Sequence, residues 1–368
     1  MKIECVKEKL LEAVTKAEKI TGKNLTLPIL SSIALETTSN SSVKIKSTNL
    51  DLGLEIEVPS KIVTNGKIAL SGSVLLNFLS NIPSESKITI EALENEIFIH
   101  TSKTSTKIKS QNYEDFPIIP VVSGGKSLVL DAVEFVEGLK SVWYSAAVSS
   151  MKPELSSVYI YSDDQDNLIF VATDSFRLAE KKIKAKKGKE MGSVLIPFKN
   201  TPEIIRVLES AKGDVSVSLS SNQLAFSWDG VYLVSRIIDG TFPDYKQIIP
   251  KEFKTDITVL KQDLLSSLKL ANVFSDSFNQ VVMKIIPKDK LFEITTKNSD
   301  IGENHNTLDA VIKGDDLTIS FNYKYIIDCF QSIHSDSISM QFSGLGKPVL
   351  VSGVSDKSFL YIVMPMNK

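Results

Sequence analysis

GTFPDYKQIIP, at residues 240–250, is a turn-like stretch whose apolar run stops at a proline. A shorter version, EDFPIIP, stands at residues 114–120, so the pair Phe242-Pro243 follows Phe116-Pro117 by 126 positions. Proline interrupts helices and central strands, which makes both stretches breaks between structural elements. Two such breaks, each at the end of a similar length of chain, predict a repeated domain.

The residues after each break restart the pattern found at the amino terminus. In all three places a short alternating run, typical of a strand, changes to apolar residues at helical spacing. The positions are Ile3, Cys5, Leu10, Leu11, Val14 and Ala17; Leu128, Leu130, Phe135, Val136, Leu139 and Val142; and Ile257, Val259, Leu264, Leu265, Leu268 and Ala271. The repeat therefore predicts one strand and one amphipathic helix at the start of each domain.

A second helical pattern occurs later in each repeat, between strand-like runs. Its apolar positions are Leu75, Leu76 and Leu79; Ile204, Ile205 and Leu208; and Ile326, Ile327 and Phe330. With about eight strands per repeat, the sequence predicts an α+β fold of three domains, each with two helices packed on antiparallel sheets. The expected domains are residues 1–123, 124–252 and 253–368.

Composition agrees with an ordinary folded protein of several domains. The 368 residues (40.6 kDa) are 42% hydrophobic and 23% charged, with a mean hydropathy of +0.04. The amino terminus has no uninterrupted apolar stretch, so we expect a cytoplasmic protein. Cys5 and Cys329 both lie in apolar patterns, which favours buried thiols over a disulfide. The net charge of -2 is uninformative, because 42 basic and 44 acidic residues can be segregated onto different faces.

Motifs for catalysis are nearly absent. None of the three histidines has a partner at metal-ligand spacing, and HExxH, paired CxxC and Walker motifs are missing. We therefore expect no metal and no cofactor. One alternative stays open: Ser149 and Lys152 match SxxK, the pattern of an acyl-serine enzyme, although its companion motifs are lacking. Labelling with a β-lactam or fluorophosphonate probe would test that alternative.

Several stretches have more specific sequence patterns than a purely structural protein would require. They are TLPILSSIALE (26–36), STNLDL (47–52), VATDSFRLAEKKI (171–183), GTFPDYKQIIP, FNYKYIIDCF (321–330) and the terminal YIVMPMNK (361–368). In this order the chain resembles the β sliding clamps, the β subunits of bacterial DNA polymerase III. The resemblance implies a head-to-tail dimeric ring of six clamp domains whose helices line a central hole. It also implies a non-catalytic processivity factor that encircles duplex DNA without sequence specificity.

The resemblance assigns two kinds of binding residue. DNA contacts are expected at Lys23, Asn24, Lys152 and Lys199. A hydrophobic pocket between domains 2 and 3 is expected to bind short peptides of DNA polymerase III, the clamp loader, other polymerases and repair proteins. Its residues would be Leu155, Thr173, Ser175, Phe176, Arg177, Leu178, Pro243, Ile248, Phe278, Asn322, Tyr325, Val363, Met364, Pro365 and Met366. The two terminal methionines suit a pocket with several partners, because their side chains adapt to different shapes.

Two departures from the family pattern are visible. The family usually has TDGHRL where this chain has TDSFRL, so Phe176 replaces a histidine and is expected to favour aromatic or aliphatic peptide residues. The ring contact would involve Lys103, Thr106, Ile108, Asn272, Val273, Asp300 and Glu303. Thr106 and Asn272 are polar where the family often has larger apolar groups. At about 25 cal/mol per Å² of lost apolar contact, this predicts a weaker dimer.

A third reading is a triplicated adaptor that never touches DNA. Loading onto nicked circular DNA, with loss after linearisation, would separate a clamp from such an adaptor.

Overall fold

The computed structural model describes residues 1–22, 27–82, 87–93, 96–123, 126–149, 151–165, 167–184 and 191–366. Within these ranges the helices are α1 (Lys7–Ile20), α2 (Gly72–Asn81), α3 (Ala132–Val142), α4 (Thr201–Leu208), α5 (Lys261–Val273) and α6 (Tyr323–Asp328). These six helices are the two per repeat that the sequence predicts. Phe330 alone lies past its predicted helix, in a 3₁₀ turn (Cys329–Ser332) where the end of α6 tightens.

Strands and helices alternate in each repeat, and within the described ranges the third repeat has one more strand between its helices than the other two. The first eight are β1 (Lys2–Val6), β2 (Ser32–Thr37), β3 (Ser42–Thr48), β4 (Leu52–Thr64), β5 (Lys67–Ser71), β6 (Lys87–Leu93), β7 (Glu96–His100) and β8 (Ser105–Lys109). The next eight are β9 (Lys126–Asp131), β10 (Ser157–Ser162), β11 (Asn167–Thr173), β12 (Arg177–Lys184), β13 (Val194–Pro197), β14 (Asp214–Leu219), β15 (Gln223–Trp228) and β16 (Val231–Arg236). The last are β17 (Thr255–Leu260), β18 (Gln280–Ile286), β19 (Leu291–Asn298), β20 (Gly302–Leu308), β21 (Ala310–Gly314), β22 (Leu317–Asn322), β23 (Ser337–Phe342), β24 (Val349–Gly353) and β25 (Phe359–Val363).

The described residues group into two compact units. The first unit contains residues Met1–Val133 and Lys199–Ile237, and the second contains Glu134–Phe198 and Ile238–Lys368. Both units combine residues from two of the predicted domains, because a sheet continues across each predicted boundary. In the first unit β4 pairs with β16, and in the second unit β12 pairs with β25. Local periodicity cannot reveal such pairing, since it joins strands that are far apart in sequence.

The first unit is built on one antiparallel sheet, in the order β8-β7-β6-β1-β4-β16-β15-β14-β9 with β2, β3 and β5 beside β4. Strand β4 is long enough to pair with β3, β16 and β1 along its length. Helices α1 and α2 pack on this unit, and α1 buries Leu10, Val14 and Ala17 as the helical spacing predicts.

The second unit has two antiparallel sheets. The larger has the order β13-β10-β11-β12-β25-β24-β23-β17-β21, and the smaller has the order β20-β19-β18-β22. Helix α5 packs against β19 and β20 of the smaller sheet and buries Leu264, Leu268 and Ala271. Strand β25, the last of the chain, lies inside the larger sheet between β12 and β24.

Both cysteines are free and buried, as predicted. Burial raises the pKa of the Cys5 thiol to about 12 and that of Cys329 further still, so both stay protonated and unreactive near neutral pH. Among the described helices, none is long and apolar enough to cross a membrane.

Candidate functional site

The carboxyl end of the chain is held at one end of the larger sheet in the second unit. In the β12–β25 pair, Arg177 at the start of β12 lies opposite Val363 at the end of β25. One residue further out, the Met364 N–H donates to the Phe176 carbonyl oxygen at 2.8 Å. Val363 is fully buried and Met364 is exposed. The apolar carboxyl end is thus packed as a strand up to Val363, and the Met364 side chain emerges beside the turn that precedes β12.

That turn, residues 173–177, is fixed by its own side chains. The Asp174 carboxylate accepts from the N–H groups of Phe176 and Arg177, both at 3.0 Å, and the Thr173 hydroxyl donates to the Arg177 carbonyl oxygen at 2.6 Å. Ser175 has φ = +77°, a left-handed conformation that costs a residue with a Cβ about 1 kcal/mol or more. The hydrogen bonds of Asp174 and Thr173 hold this strained turn in place.

The Arg177 guanidinium is the charged centre of the site, and its side chain is only 12% exposed. Nε donates to Asp174 at 3.0 Å, one terminal nitrogen donates to Asp328, and the other donates to the Tyr144 carbonyl oxygen at 2.7 Å. Burial disfavours the charged form, but Tyr361, Asp328 and Asp174 outweigh it and raise the pKa of Arg177. Arg177 therefore stays charged and joins β12 to α6 and to the residues after α3.

Two aromatic rings adjoin this guanidinium. Its carbon lies 4.7 Å from the centre of the Tyr325 ring, within cation–π range. The Phe176 ring is stacked on Tyr325, with centroids 6.4 Å apart and an interplanar angle of 19°. Burial and then Asp174 raise the pKa of Tyr325, so its hydroxyl stays neutral. Phe176 nevertheless remains 59% exposed, so a large apolar surface faces solvent beside a buried charge.

The stretch GTFPDYKQIIP packs against the strands that carry this site. Phe242 and Tyr245 share a buried cluster with Leu178 of β12 and Ile362 of β25. The Tyr245 hydroxyl donates to the buried Glu180 carboxylate at 2.5 Å. Burial and this bond raise the pKa of Tyr245 far above its ordinary value. Pro243 and Ile248, in contrast, remain exposed on the same stretch.

Phe278 and Asn322 are joined at the start of α6. The Asn322 side chain accepts from the Lys324 N–H at 3.0 Å, which caps the helix, and its amide donates to the Phe278 carbonyl oxygen at 3.4 Å. The Phe278 ring is exposed. Met366, after β25, donates its N–H to Ser320 of β22 at 2.9 Å. This links the carboxyl end of the chain to the strand that leads into α6.

All fifteen pocket residues predicted from the sequence lie in the second unit. Hydrogen bonds, strand pairing and ring contacts connect Thr173, Ser175, Phe176, Arg177, Leu178, Tyr325, Val363 and Met364 to one another. Phe278, Asn322 and Met366 adjoin this group through α6 and β22. Leu155 is buried at the end of a loop, Pro243 and Ile248 are exposed, and Pro365 is half-buried.

Four residues that the sequence reading did not assign also contribute to this end of the sheet. Asp174, Asp328 and Tyr144 hold Arg177 through the bonds described above. Asp174 could have been found, because an Asp two residues before a turn's apex is a common cap. Asp328 and Tyr144 gave no local signal. Leu345 is exposed in the β23–β24 turn, which lies at the same end of the sheet as Val363 because β24 begins opposite that residue.

Two of the four predicted DNA contacts, Lys152 and Lys199, lie in the part of the chain that the structure describes. Lys23 and Asn24 lie outside the described residues. Lys152 is exposed in the loop before β10 in the second unit. Lys199, in the first unit, is exposed but lies 2.5 Å from the carboxylate of Asp51. An ion pair in water weakens the attraction of such a lysine for another anion without abolishing it.

The predicted interface residues occur near two different edge strands. Lys103, Thr106 and Ile108 belong to β8 and the turn before it, and β8 ends the sheet of the first unit. Asn272 and Val273 end α5, while Asp300 and Glu303 lie at the start of β20, which ends the smaller sheet of the second unit. Edge strands expose main-chain groups that can pair with another chain.

The SxxK pair lies in a loop and not on a helix. The Ser149 hydroxyl accepts from the Met151 N–H at 3.4 Å, and its carbonyl oxygen accepts from the Ser156 hydroxyl. A helix would bring a serine and the lysine three positions later onto one face. Without that helix, residues 149 and 152 lack the local geometry on which the acyl-serine alternative depends. Among the described residues, no group of three or more His, Cys, Asp or Glu side chains could hold a metal ion.

The fold is that of a triplicated α+β protein whose carboxyl end pairs as strand β25 in the larger sheet of the second unit. The DNA polymerase III beta subunit family models match the chain in succession: the N-terminal domain at residues 1–120, the central domain at 130–244 and the C-terminal domain at 246–367. The chain belongs to the DNA polymerase III beta subunit family.

Individual relatives match over the whole chain. The beta sliding clamp of Streptococcus pneumoniae serotype 4 is 25% identical over 370 residues, which cover 98% of both chains. That of Synechocystis is 27% identical over 391 residues, covering 100% of this chain and 99% of the relative. The crystal structure of the DNA polymerase III beta subunit from Thermotoga maritima aligns with a TM-score of 0.93 at 26% identity, covering 100% of this chain and 99% of the other.

Proposed function

We propose that this chain is a DNA sliding clamp, a processivity factor that encircles duplex DNA without reading its sequence and tethers DNA polymerase. Family membership over the full length supports this function. The observation that carries it is the site at the end of the larger sheet, where the carboxyl end, Arg177 and exposed apolar side chains meet. A protein that only occupied space would not need to keep a strained turn and an exposed phenylalanine beside a buried charge.

The clamp acts without catalysing a reaction of its own and works in the cytoplasm on the nucleoid. Its partners are duplex DNA, the catalytic subunit of DNA polymerase III, and other polymerases and repair proteins with clamp-binding peptides. A clamp loader opens the ring. Family membership supports DNA and polymerase as partners in general terms, and the loader and the repair proteins extend that proposal.

Partner peptides bind at the fifteen residues of the second unit named above. Exposed apolar side chains on a fixed backbone support this site, because a peptide can bury them with little further loss of conformational entropy. Met366→Ala is expected to weaken a bound partner peptide, whereas Ile118→Ala, an exposed apolar change in the first unit, is the matched control. Fluorescence anisotropy with a labelled peptide from the DNA polymerase III catalytic subunit measures both. Equal weakening by the two variants would contradict the site.

DNA is held by sparse phosphate contacts from Lys23, Asn24, Lys152 and Lys199. Phosphate contacts carry no base information, as sliding requires. Lys199→Ala is expected to reduce the slope of log affinity against log salt by about 0.9, the value for one phosphate contact on duplex DNA. Asp51→Asn is the control, since it removes the competing carboxylate and leaves Lys199. An unchanged slope in Lys199→Ala would remove this residue from the DNA contacts.

The ring closes head to tail, with β8 of one chain meeting β20 of the second. Lys103, Lys107 and Lys109 would face Asp300 and Glu303, and Ile108 would face Val273. Thr106 and Asn272 make this interface less apolar, so we expect a weak dimer. Sedimentation equilibrium from nanomolar to tens of micromolar distinguishes 40.6 kDa from twice that mass. A dimer at every concentration would contradict the proposed weakness.

The domain boundaries 1–123, 124–252 and 253–368 belong to this proposal. The breaks after Pro120 and Pro250 support them. Limited proteolysis followed by mass spectrometry is expected to give first cuts at residues 121–125 and 251–254. First cuts within strands such as β4 or β12 would contradict these boundaries.

A further inference from the structure

A cavity of about 430 Å³ lies within the first unit. Its walls are α1, the middle of β4, the residues after α4 and the turn between β15 and β16. Its volume falls in the range of about 300–1,000 Å³ that is usual for small-molecule sites. Its apolar lining includes Ala13, Ile56, Val58 and Val231. The cavity therefore has room for a small ligand and apolar surface for that ligand to cover.

Trp228 lines this cavity with a half-buried side chain. It is the last residue of β15, and the turn that follows has positive φ at Asp229 (+38°) and Gly230 (+76°), as tight hairpin turns do. The Glu57 N–H of β4 donates to the Gly230 carbonyl oxygen at 2.9 Å, which holds the turn against β4. The backbone beneath Trp228 is thus fixed before any ligand binds.

The indole ring of Trp228 has no aromatic partner in the part of the chain that the structure describes. Trp143, in contrast, stacks on Phe198 with centroids 5.6 Å apart. A tryptophan face stacks well on another flat ring, and every nucleobase has such a face. Trp228 therefore gives the cavity one wall that suits a flat aromatic group.

Three lysines line the same cavity from α1 and from the residues after α4: Lys9, Lys16 and Lys212. Lys16 pairs with Glu12 at 2.8 Å, whereas Lys9 and Lys212 have no ion-pair partner among the described residues. Lys16 lowers the pKa of Glu12 most, and Lys9 and Lys212 add to this effect, so the three ammonium groups lie near one carboxylate. Three lysines around one carboxylate favour an anionic group such as a phosphate.

We propose that this cavity binds a free nucleoside monophosphate, with the base against Trp228 and the phosphate at Lys9 and Lys212. Asp229 lines the cavity next to Trp228, so the reversed orientation would bring the phosphate to a carboxylate. A base inside duplex DNA cannot occupy the cavity, because it is stacked and paired within the helix. The inference does not depend on the proposed function, since a clamp that bound no nucleotide would still encircle DNA.

The test uses the full-length protein carrying Trp143→Phe, in which Trp228 is the only tryptophan. The probe is adenosine monophosphate (AMP), and saturable quenching of Trp228 fluorescence is expected as it binds. Equilibrium dialysis of radiolabelled AMP measures competition by adenosine and by ribose 5-phosphate. Each competitor lacks one of the two contacts and should bind at least about 5-fold more weakly than AMP.

Variants assign the binding to the cavity. Lys9→Ala and Lys212→Ala should each weaken AMP about 3- to 10-fold, between the effect of a surface ion pair and that of a charge-assisted hydrogen bond. Lys19→Ala is the matched control, because Lys19 is an exposed lysine of α1 that does not line the cavity. It should leave AMP binding within about 2-fold, and all three variants should keep the parent's urea unfolding curve.

Replacing the ring tests the other end of the cavity. Trp228→Leu should weaken AMP about 5-fold or more in equilibrium dialysis, because the base loses its stacking partner. Trp228→Phe should retain part of the affinity, since a smaller aromatic face remains. Circular dichroism during urea unfolding serves as the folding control for both variants.

Three results would overturn the site. The first is the absence of saturable quenching by AMP. The second is competition by ribose 5-phosphate as strong as that by AMP, since a cluster of lysines that merely attracts anions needs no base. The third is equal weakening by Lys19→Ala and Lys212→Ala. None of these results would contradict the proposed clamp function, which retention on circular DNA tests separately.

Discussion

The two Phe-Pro stretches begin alike and end differently. Phe116 in the first unit and Phe242 in the second are both buried, and each has a tyrosine nearby whose hydroxyl donates to a glutamate. After Phe116 comes the segment at residues 117–122, called the strap below. In it Ile119 packs with Ala225 and Val234, and Ile118 is 94% exposed. After Phe242 the chain packs on Leu178 and Ile362, the strands that carry the candidate site. A buried Phe-Pro phenylalanine thus ends a repeat in the first unit, and in the second unit it also packs under the strands of the candidate site.

The largest effect on stability should come from replacing the two buried phenylalanines, Phe116 and Phe242, one at a time. Phe242→Ala and Phe116→Ala should each cost about 3–5 kcal/mol of unfolding free energy, the usual range for a buried phenylalanine. Only Phe242→Ala should also weaken peptide binding, since it removes packing beneath Leu178 and Ile362. Trp143 reports on the second unit and Trp228 on the first, so urea unfolding of Trp228→Phe and Trp143→Phe backgrounds assigns each loss. Equal loss of peptide affinity in Phe242→Ala and Phe116→Ala would contradict the claim that only the second stretch supports the binding surface.

The two tyrosines should differ in the next largest effect. Tyr245→Phe removes the hydroxyl donor of the buried Glu180 carboxylate, which keeps Lys182 at 3.4 Å, and should cost about 2–3 kcal/mol. Tyr113→Phe should cost less than about 1 kcal/mol, because Glu36 keeps Lys46 at 2.6 Å and Lys67 at 2.9 Å. Urea unfolding measures both. If the two substitutions cost the same, burial of Glu180 is not what distinguishes the two stretches.

A smaller effect should follow from crowding the strap in the first unit. A Cβ at residue 53 would lie 2.7 Å from Ile119 Cγ2 and 3.1 Å from Val234 Cγ1. Both are β-branched side chains with little freedom to move, so Gly53→Ala should cost about 2 kcal/mol. Ile119→Ala in the same chain should recover part of this loss by making room. Full additivity of the two substitutions would show that the strap does not press on Gly53.

The smallest predicted effect is a pH dependence confined to the first unit. Burial opposes ionisation of Glu36, but hydrogen bonds from Lys46, Lys67 and Tyr113 outweigh it and lower the pKa of Glu36 from 4.5 to about 2. A carboxyl with a depressed pKa in the folded state adds stability above pH 4.5, and this contribution is lost as the pH falls towards 2. Glu36→Gln should flatten the fall in the urea midpoint between pH 5 and 3, reported by Trp228. An unchanged fall would remove Glu36 from the acid response.

Repeats and helices could be predicted because they depend on local spacing. Leu10, Val14 and Ala17 are buried at the helical positions that the sequence indicates, and the counterparts in α5 behave in the same way. Sheet continuity could not be predicted, because β4–β16 and β12–β25 pair strands that no local pattern connects. For that reason the compact units differ from the spans of sequence between the breaks.

The side chains that the structure brings together around Arg177 could be predicted from the sequence, but the interactions that hold Arg177 in place could not. The motif around Arg177 indicated which side chains to expect, but it gave no sign of Asp328, which lies 151 positions away along the chain. The serine at position 175 gives no sign of its left-handed backbone, and the one hint is the glycine that the family pattern TDGHRL has there. Long-range ion pairs are set by tertiary packing, so composition and spacing do not encode them.

Retention on circular DNA tests the central claim most directly. The labelled protein is loaded with its clamp loader and ATP onto nicked circular DNA, isolated by gel filtration in high salt, and then treated with a restriction enzyme that linearises the circle. A sliding clamp should remain on the circle and leave after linearisation, because only a topological link is lost at a free end. Equal retention on circular and linear DNA, or no retention on either, would contradict the account.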